Sequence, residues 1–158
     1  MATCEERIDE NLERTIEDLR TLWDLYCEDT EAYDDDLGNI YEYGLSFDYV
    51  APDTFKNQPE GYFRYQLSWG GPSDEFRFFA TPVIQRVTGS RTAYYLNALR
   101  VGHMGWKHHR IEYWFLDWFD GAHRILRGKD FKLLSEIFEW FDECGTTQHV
   151  FEKEMADY

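Results

Sequence analysis

The stretch 61–79, with the sequence GYFRYQLSWGGPSDEFRFF, constrains the fold most strongly because apolar and polar residues alternate along it. A period of two is typical of a half-buried β-strand, in which successive side chains point to opposite faces. One face of the first half carries Phe63, Tyr65, Leu67 and Trp69. Residues 70–74, GGPSD, are turn formers, and the alternation resumes beyond them. The sequence therefore predicts a β-hairpin at the centre of the chain.

Length and composition predict a single domain that spans residues 1–158. A chain of this length buries roughly two-thirds of the surface that its unfolded form exposes. Its aromatic content of 18% supplies ring surface for the core. No apolar run reaches the length of about 18 residues that a membrane span needs. The first residues are acidic and lack the basic and apolar parts of a signal peptide, so we expect a cytoplasmic location.

The cysteines do not form a recognisable metal or redox motif. Cys4, Cys27 and Cys144 are widely spaced and include no CxxC pair, so free thiols are expected rather than a structural zinc site. The sequence also contains no GxSxG, Walker loop, GxGxxG or HExxH. We therefore predict no cofactor, no metal and no catalytic residues.

Helices are predicted near both ends of the chain, in residues 1–28 and 130–144. The first carries apolar residues at three- and four-residue steps, which is typical of an amphipathic helix. Thr3 and Glu6 have the spacing of a capping box at its start. Asp130 is expected to cap the second helix, and the glycine that follows residue 144 is expected to end it.

The sheet is expected over residues 39–119. A first strand over 39–50 and a later strand over 111–119 alternate in the same way as the central hairpin. A loop is predicted over 51–60 and a turn at Asp120 and Gly121. Combined with the helices, this order predicts the α+β class, an antiparallel sheet of about four to five strands with N-terminal and C-terminal helices packed on one face.

The segment 82–110 is a basic excursion within this sheet region. It contains no Asp or Glu, but it has five Lys and Arg residues and three His residues. Two interpretations of its structure stay open. One is a short helix over 91–101 capped by Ser90, and the other is a pair of strands around the Gly89–Ser90 turn.

Charge is distributed very unevenly along the chain, which has a net charge of −15. Residues 1–36 hold fourteen acids and three bases, residues 37–129 hold nine acids and eleven bases, and residues 130–158 hold eight acids and two bases. The predicted helices and the loop after the first helix therefore carry the negative charge. This excess argues against direct binding to DNA or to an anionic membrane and favours a basic partner.

The acidic helices suggest mimicry of nucleic-acid phosphates. Acids at three- and four-residue steps lie about 5 to 6 Å apart along one helix face, so such a surface can dock into a basic nucleic-acid-binding groove by a fast, salt-sensitive association. The alternative is that these faces are simply solvated. Under the mimicry hypothesis, eight side chains stand in for phosphates: Glu13, Glu17, Asp24, Asp34, Asp35, Asp36, Glu139 and Asp142.

A resemblance to known proteins points in the same direction. The clusters EDTEAYDDD and EIFEWFDE make this chain similar in type to the acidic DNA-mimic anti-restriction and anti-CRISPR proteins of phages and plasmids. The segments YEYGLSFDY, EGYFRYQLSWGGPSDEFRF and IEYWFLDWFDGA resemble an uncharacterised family of plasmid and mobile-element proteins, over residues 39–80 and 110–143. The resemblance implies a non-catalytic inhibitor in the host bacterial cytoplasm, with a nuclease or CRISPR effector subunit as partner. The acid-free segment 82–110 does not fit a pure mimic.

An enzymatic site is an alternative hypothesis. The sequence DWFDGAH places two carboxylates and an imidazole at the end of a predicted strand, where a metal or acid/base site is chemically reasonable. The residues are Asp117, Asp120 and His123. A second histidine group, at 103, 108 and 109, has no carboxylate or thiolate close by in sequence, and a flexible basic loop is the favoured interpretation there.

The sheet itself offers two further alternatives. Arg64, Arg77 and Arg110 lie beside aromatic residues, an arrangement that binds single-stranded nucleic acid in some sheets. The favoured interpretation is that they pair with acids across the strands. The candidate acids are Glu42, Asp48, Glu75 and Glu112. The chain is also compatible with an acidic regulatory subunit whose exposed aromatic residues pack against a sister chain, which makes a homodimer possible.

Overall fold

The structure is a computed structural model that describes residues 2–85 and 103–156. It contains a small helical layer and one sheet, and this arrangement confirms the predicted α+β class. The elements follow in the order α1 (Cys4–Glu28), α2 (Ile40–Tyr43), β1 (Ser46–Val50), β2 (Tyr62–Ser68), β3 (Pro72–Gln85), β4 (His103–Asp117), β5 (Asp120–Ile125), α3 (Gly128–Glu143) and α4 (Thr146–Met155).

The five strands form an antiparallel sheet in the order β1-β2-β3-β4-β5, so every strand pairs with its neighbours in sequence. The predicted central hairpin is β2 and β3, in which Phe63 pairs with Phe78 and Tyr65 pairs with Phe76. The pairing of β3 with β4 is the longest and extends from Pro72 opposite Asp117 to Gln85 opposite His103.

The helices α1 and α3 pack on one face of the sheet, as the sequence predicts. The apolar residues that alternate along the strands supply that face, and several of them are completely buried: Phe63, Phe76, Phe78, Ile111 and Tyr113. Apolar residues of α1 and α3 complete the same core. We call the opposite side of the sheet, on which neither α1 nor α3 packs, the helix-free face.

The start of α1 is held by its own cap and by the sheet. The predicted capping box is confirmed: the backbone N–H of Glu6 donates to Thr3 Oγ1, and the backbone N–H of Thr3 donates to Glu6 Oε2, both at 3.2 Å. The backbone N–H of Cys4 donates to Asp120 Oδ2 at 2.7 Å, and Arg7 forms an ion pair with Asp117 at 3.0 Å. The amphipathic helix is therefore fixed to the β4–β5 turn.

The predicted first strand over 39–50 is wrong in its first half. Asn39 caps the short helix α2, because its side chain accepts a hydrogen bond from the backbone N–H of Glu42. Tyr43 then donates its hydroxyl to Asp18 on α1 at 3.0 Å. A local cap and a contact with α1 therefore override the alternating pattern, and the strand begins only at Ser46.

Two other boundaries differ from the sequence prediction, and a third agrees with it. The helix α3 begins at Gly128, after Arg127, rather than after an Asp130 cap. The β4–β5 turn lies at Trp118 and Phe119, so Asp120 already belongs to β5. At the end of α3, Gly145 has a positive φ of 81° and separates it from α4, as expected of a helix stop.

Both ends of the basic segment 82–110 form β-strands. Residues up to Gln85 continue β3, and residues from His103 belong to β4. The favoured interpretation of 103–110 as a flexible loop is therefore wrong, because these residues pair with β3. The alternative helix over 91–101 with its Ser90 cap lies outside the described residues.

Candidate partner-binding surfaces

Six of the eight predicted phosphate-mimicking residues are exposed, four of them on α1 and α3 and two in the loop that follows α1. We call these six the acidic face. Among the described residues, their carboxylates accept no hydrogen bond and form no ion pair. The six are Glu13, Glu17, Asp24, Asp35, Asp36 and Glu139.

Three residues of the acidic face lie on one side of α1 because of the helical period. Glu13, Glu17 and Asp24 are separated by four and then seven residues, which returns each side chain to one side of the helix. The rise of an α-helix places them about 6 Å and then about 10 Å apart along its axis. The apolar residues that bury against the sheet alternate with them at the same period, so packing of the core orients these acids outward.

Contacts between α1 and α3 hold the two acidic helices in one layer. The indole N–H of Trp23 donates to Glu136 Oε2 at 3.2 Å, and the Trp23 and Trp140 rings lie 5.8 Å apart between centroids. Tyr26 also packs against Trp140, with 5.3 Å between centroids. Glu139, next to Trp140 in sequence, therefore belongs to the same rigid layer as the acids of α1.

The other two predicted mimics have structural roles. Asp34 Oδ1 accepts hydrogen bonds from the backbone N–H groups of Asp36 and Leu37, both at 2.9 Å, and so shapes the loop after α1. Asp142 accepts from Thr147 Oγ1 at 2.6 Å and from the backbone N–H of Trp106 at 3.3 Å. This second carboxylate ties α3 to α4 and to β4.

Charges on the helix-free face are paired internally. Arg64 forms a two-point contact with Asp48 across the strands, at 3.0 and 2.7 Å, which confirms the predicted cross-strand pairing there. Arg77 pairs with a carboxylate of its own strand, and Arg110 pairs with one of its own strand and with Glu60 in the loop before β2, so the cross-strand prediction is wrong for both. The pairs are Arg77 Nε with Glu75 Oε2 at 2.8 Å and Arg110 Nε with Glu112 Oε2 at 2.9 Å. Glu42, the remaining predicted partner, lies on α2.

Aromatic rings cover these ion pairs. The Arg77 guanidinium lies 3.8 Å from the Trp114 ring centroid and 4.7 Å from that of Tyr62. Trp114 in turn donates its indole N–H to Glu112 at 2.9 Å. Glu75 and Glu112 are only 3% and 7% exposed. The helix-free face is therefore a closed network of cations, carboxylates and rings, which leaves little free charge for a phosphate backbone.

Four large aromatic residues are exposed in the turns and the loop at the ends of the strands, and we call them the aromatic tip: Phe55, Trp69, Trp118 and Phe119. Trp69 and Trp118 are 78% and 84% exposed, and Phe119 is fully exposed. Phe55, Trp69 and Trp118 line a cavity of about 470 Å³, together with Arg64, Glu75 and Arg77. The sequence pattern assigned Trp69, Trp118 and Phe119 to strand faces, and so it missed that they lie exposed at turns.

The alternative enzymatic group is not assembled as one site. Asp117 and Asp120 contact α1, as described above, and the hydrogen bond from the Cys4 backbone lowers the pKa of the Asp120 carboxyl. His123 instead stacks on Trp114 on the helix-free face, at 4.5 Å between ring centroids. The two carboxylates therefore anchor a helix, and the imidazole belongs to a different surface.

The histidine group of β4 is also divided. His108 packs against Phe131 and Phe138 of α3, and burial lowers its pKa. His109 lies 3.6 Å from Glu60. The side chain of His103 lies outside the described part of the chain. Within that part, no three His, Cys, Asp or Glu side chains are grouped so as to hold a metal ion.

Comparison with protein-family models, curated proteins and solved structures finds no match for this chain. The resemblance in type to DNA-mimic inhibitors therefore stays a hypothesis that rests on the sequence. Within residues 2–85 and 103–156, no helix is both long enough and apolar enough to cross a membrane.

Proposed function

We propose that this chain is a non-catalytic binding protein that occupies the basic nucleic-acid-binding surface of another protein with its acidic face, and so inhibits it. The observation that supports this proposal is the contrast between two sets of carboxylates. Those on the helix-free face are paired with arginines of the same chain, whereas the six of the acidic face accept no hydrogen bond and form no ion pair among the described residues. An external cation is the partner that such carboxylates lack.

The physical basis of binding is electrostatic. Nucleic-acid-binding proteins present Lys and Arg side chains that are spaced to neutralise phosphates. Carboxylates on a helical layer held by core packing meet such a surface without further ordering of the backbone, which lowers the entropic cost of association. The net charge of −15 also steers a basic partner toward the molecule.

The partner class follows from the same chemistry. We propose a nuclease or CRISPR effector subunit, or another protein that handles DNA or RNA, in the cytoplasm of a host bacterial cell. The chain itself does not bind DNA in this account, and the proposal requires neither metal nor cofactor.

A charge-reversal variant tests the proposal. The triple change Glu13→Lys, Glu17→Lys and Asp24→Lys replaces three negative charges of α1 with positive ones. The matched control, Glu13→Asp, Glu17→Asp and Asp24→Glu, alters the same positions and keeps every charge. We expect the native chain and the control to capture a nucleic-acid-binding protein from bacterial lysate at low salt, identified by mass spectrometry, and the reversed variant to lose it.

Circular dichroism and thermal unfolding serve as the folding control, because all three positions are exposed on one helix. Capture of the same protein by the reversed variant, at undiminished yield, would show that the acidic face is not the binding surface. Capture that the conservative control also loses would show that shape rather than charge is recognised there, and would equally contradict phosphate mimicry.

A further inference from the structure

We infer that a second copy of this chain binds to the helix-free face, so that the protein is a homodimer with the aromatic tip at the centre of the interface. This inference does not depend on the proposed function, since it concerns the opposite side of the sheet. It rests on the geometry of one turn, on the exposed ring area and on the distribution of charge.

The β4–β5 turn carries two aromatic residues at a place where their exposure is costly. Asp117 and Asp120 are its last paired residues, so Trp118 and Phe119 form a two-residue loop. Trp118 has a φ of 55°, in the left-handed region that favours glycine. A two-residue hairpin loop in which only the first residue has a positive φ prefers glycine at that position. Strained backbone and exposed rings together indicate that these side chains serve an interface rather than the monomer.

The β2–β3 turn brings another exposed ring to the same place. Trp69 and Trp118 line one cavity, and a Cβ atom at Gly71 would lie 3.6 Å from the indole nitrogen of Trp118. Phe55 lines the same cavity from the loop that precedes β2. Trp and Arg are the residues most enriched where interfaces have their strongest contacts, and both types meet here.

The exposed aromatic area approaches the area that one side of a dimer interface needs. If each large aromatic residue offers about 150–250 Å², the observed exposures of the four rings amount to roughly 500–800 Å² per chain. A standard stable interface buries about 800 Å² per partner. The ring cluster by itself therefore supplies most of the area that one side of such an interface needs.

The distribution of charge selects a second copy as the occupant. Two chains of −15 each repel one another wherever their acidic helices would meet. The cavity at the aromatic tip is lined by two arginines and one glutamate, and the ion pairs on this face are already complete within each chain. Two helix-free faces can therefore meet without strong repulsion and without leaving a buried charge unpaired.

An arrangement of this kind is self-complementary, with the same patch used by both copies around a two-fold axis. Because α1 and α3 pack on the opposite side of each sheet, the carboxylates that they carry remain outside the interface. The homodimer would then carry two acidic faces that point away from one another.

Sedimentation velocity of the full chain over a wide range of protein and salt concentrations tests this inference. We expect reversible conversion of the 19.0 kDa chain to a species of twice that mass. Rising salt should strengthen the association, because it screens the repulsion between two acidic chains while apolar contacts persist. Docking of the acidic face on a basic partner has the opposite salt dependence, so the two inferences can fail separately.

A variant of the β4–β5 turn tests whether the dimer can be weakened without loss of folding stability. The double change Trp118→Gly and Phe119→Asn removes both rings and places glycine at the loop position that has a positive φ, so thermal unfolding should occur at the native temperature or above it. We expect its dimer dissociation constant to rise about tenfold or more. Tyr33→Ser removes an aromatic residue of comparable exposure, 64%, from the loop after α1 and should leave the dimer unchanged.

Each result of these experiments either supports the homodimer or overturns it. A native chain that sediments as a monomer throughout overturns the inference, as does a dimer that the turn variant still forms with native affinity. An association that weakens as salt rises also overturns it, because that behaviour indicates contacts between opposite charges. A dimer that strengthens with salt and is lost in the turn variant, but not in Tyr33→Ser, supports it.

Discussion

On the helix-free face, the three arginines Arg64, Arg77 and Arg110 each lie against a carboxylate of the same chain, whereas the carboxylates of the acidic face have no such partner among the described residues. Both surfaces belong to one sheet-and-helix unit, yet they use charge differently. On the first, the charges are part of the structure. On the second, they are available to another molecule.

The two kinds of carboxylate should respond differently to mutation. A half-buried carboxylate with hydrogen bonds or an arginine partner contributes to folding, and its loss leaves a partner unsatisfied. An exposed carboxylate without contacts contributes little to stability, so any strong effect of its loss must come from binding. Measurements of the free energy of unfolding can therefore distinguish structural carboxylates from those that are free to bind a partner.

The largest effect on stability is expected at Arg77. Its guanidinium is 14% exposed and pairs with the nearly buried Glu75. Arg77→Ala leaves that carboxylate without its cation, and we expect a loss of about 3 kcal/mol in the free energy of unfolding. Arg64→Ala is the matched comparison, since Arg64 pairs with the more exposed Asp48, and it should cost about 1 kcal/mol or less. Equal losses in urea unfolding would contradict a closed network around Arg77.

A smaller loss of stability is expected at Asp142, and it should exceed the loss at Asp24, another predicted mimic. Asp142→Ala removes the acceptor for Thr147 Oγ1 and for the Trp106 backbone, and we expect it to cost about 1–2 kcal/mol. Asp24→Ala, on an exposed part of α1, should stay within about 0.5 kcal/mol of the native chain. If Asp24→Ala proved as destabilising as Asp142→Ala, the acidic face would have a structural role and the contrast would fail.

The smallest effect is expected at Tyr62, whose buried hydroxyl has no hydrogen-bond partner among the described residues. Tyr62→Phe removes an unsatisfied polar atom and should change the free energy of unfolding by less than about 1 kcal/mol near neutral pH. Burial raises the pKa of this hydroxyl to about 12, above the value of about 10 for an unfolded tyrosine. The folded state therefore favours the neutral form.

The pH dependence at Tyr62 follows from that shift. Its contribution to stability is complete below about pH 10 and is lost as the pH rises toward about 12. Because phenylalanine does not ionise, the native chain should lose more stability than Tyr62→Phe over this range, as measured by urea unfolding at several pH values. Parallel losses in both proteins would show that the hydroxyl reaches solvent.

Local patterns in the sequence were enough to predict much of the fold. The alternation around Phe63 and Tyr65 identified the helix-facing side of β2, and Thr3 with Glu6 identified the start of α1. The same alternation failed at Asn39, where a helix cap prevails, and at Trp118, where the chain reverses without a glycine. Periodicity describes a continuing element, and it does not show where a local hydrogen bond or a strained turn ends one.

The sequence alone predicted only in part which acids are exposed and which have structural contacts. Exposure of Glu13 and Glu17 follows from the helical period alone. The structural role of Asp142 depends on its contact with Trp106, which is 36 residues away in sequence. The pairing of Arg77 with Glu75 is local to β3, whereas the stacking of Arg77 on Trp114 and Tyr62 depends on how three strands align. Such contacts are set by tertiary packing, which no local pattern encodes.

Displacement by duplex DNA tests whether the acidic face occupies the nucleic-acid-binding surface of its partner. A protein captured from lysate on the immobilised chain would be challenged with increasing duplex DNA at low salt, and separately with increasing salt alone. If the acidic face occupies a nucleic-acid-binding surface, DNA should release the captured protein in competition, and its affinity for the chain should fall steeply as salt rises. A captured protein that binds DNA while still held by the chain, with no loss at high salt, would contradict the account.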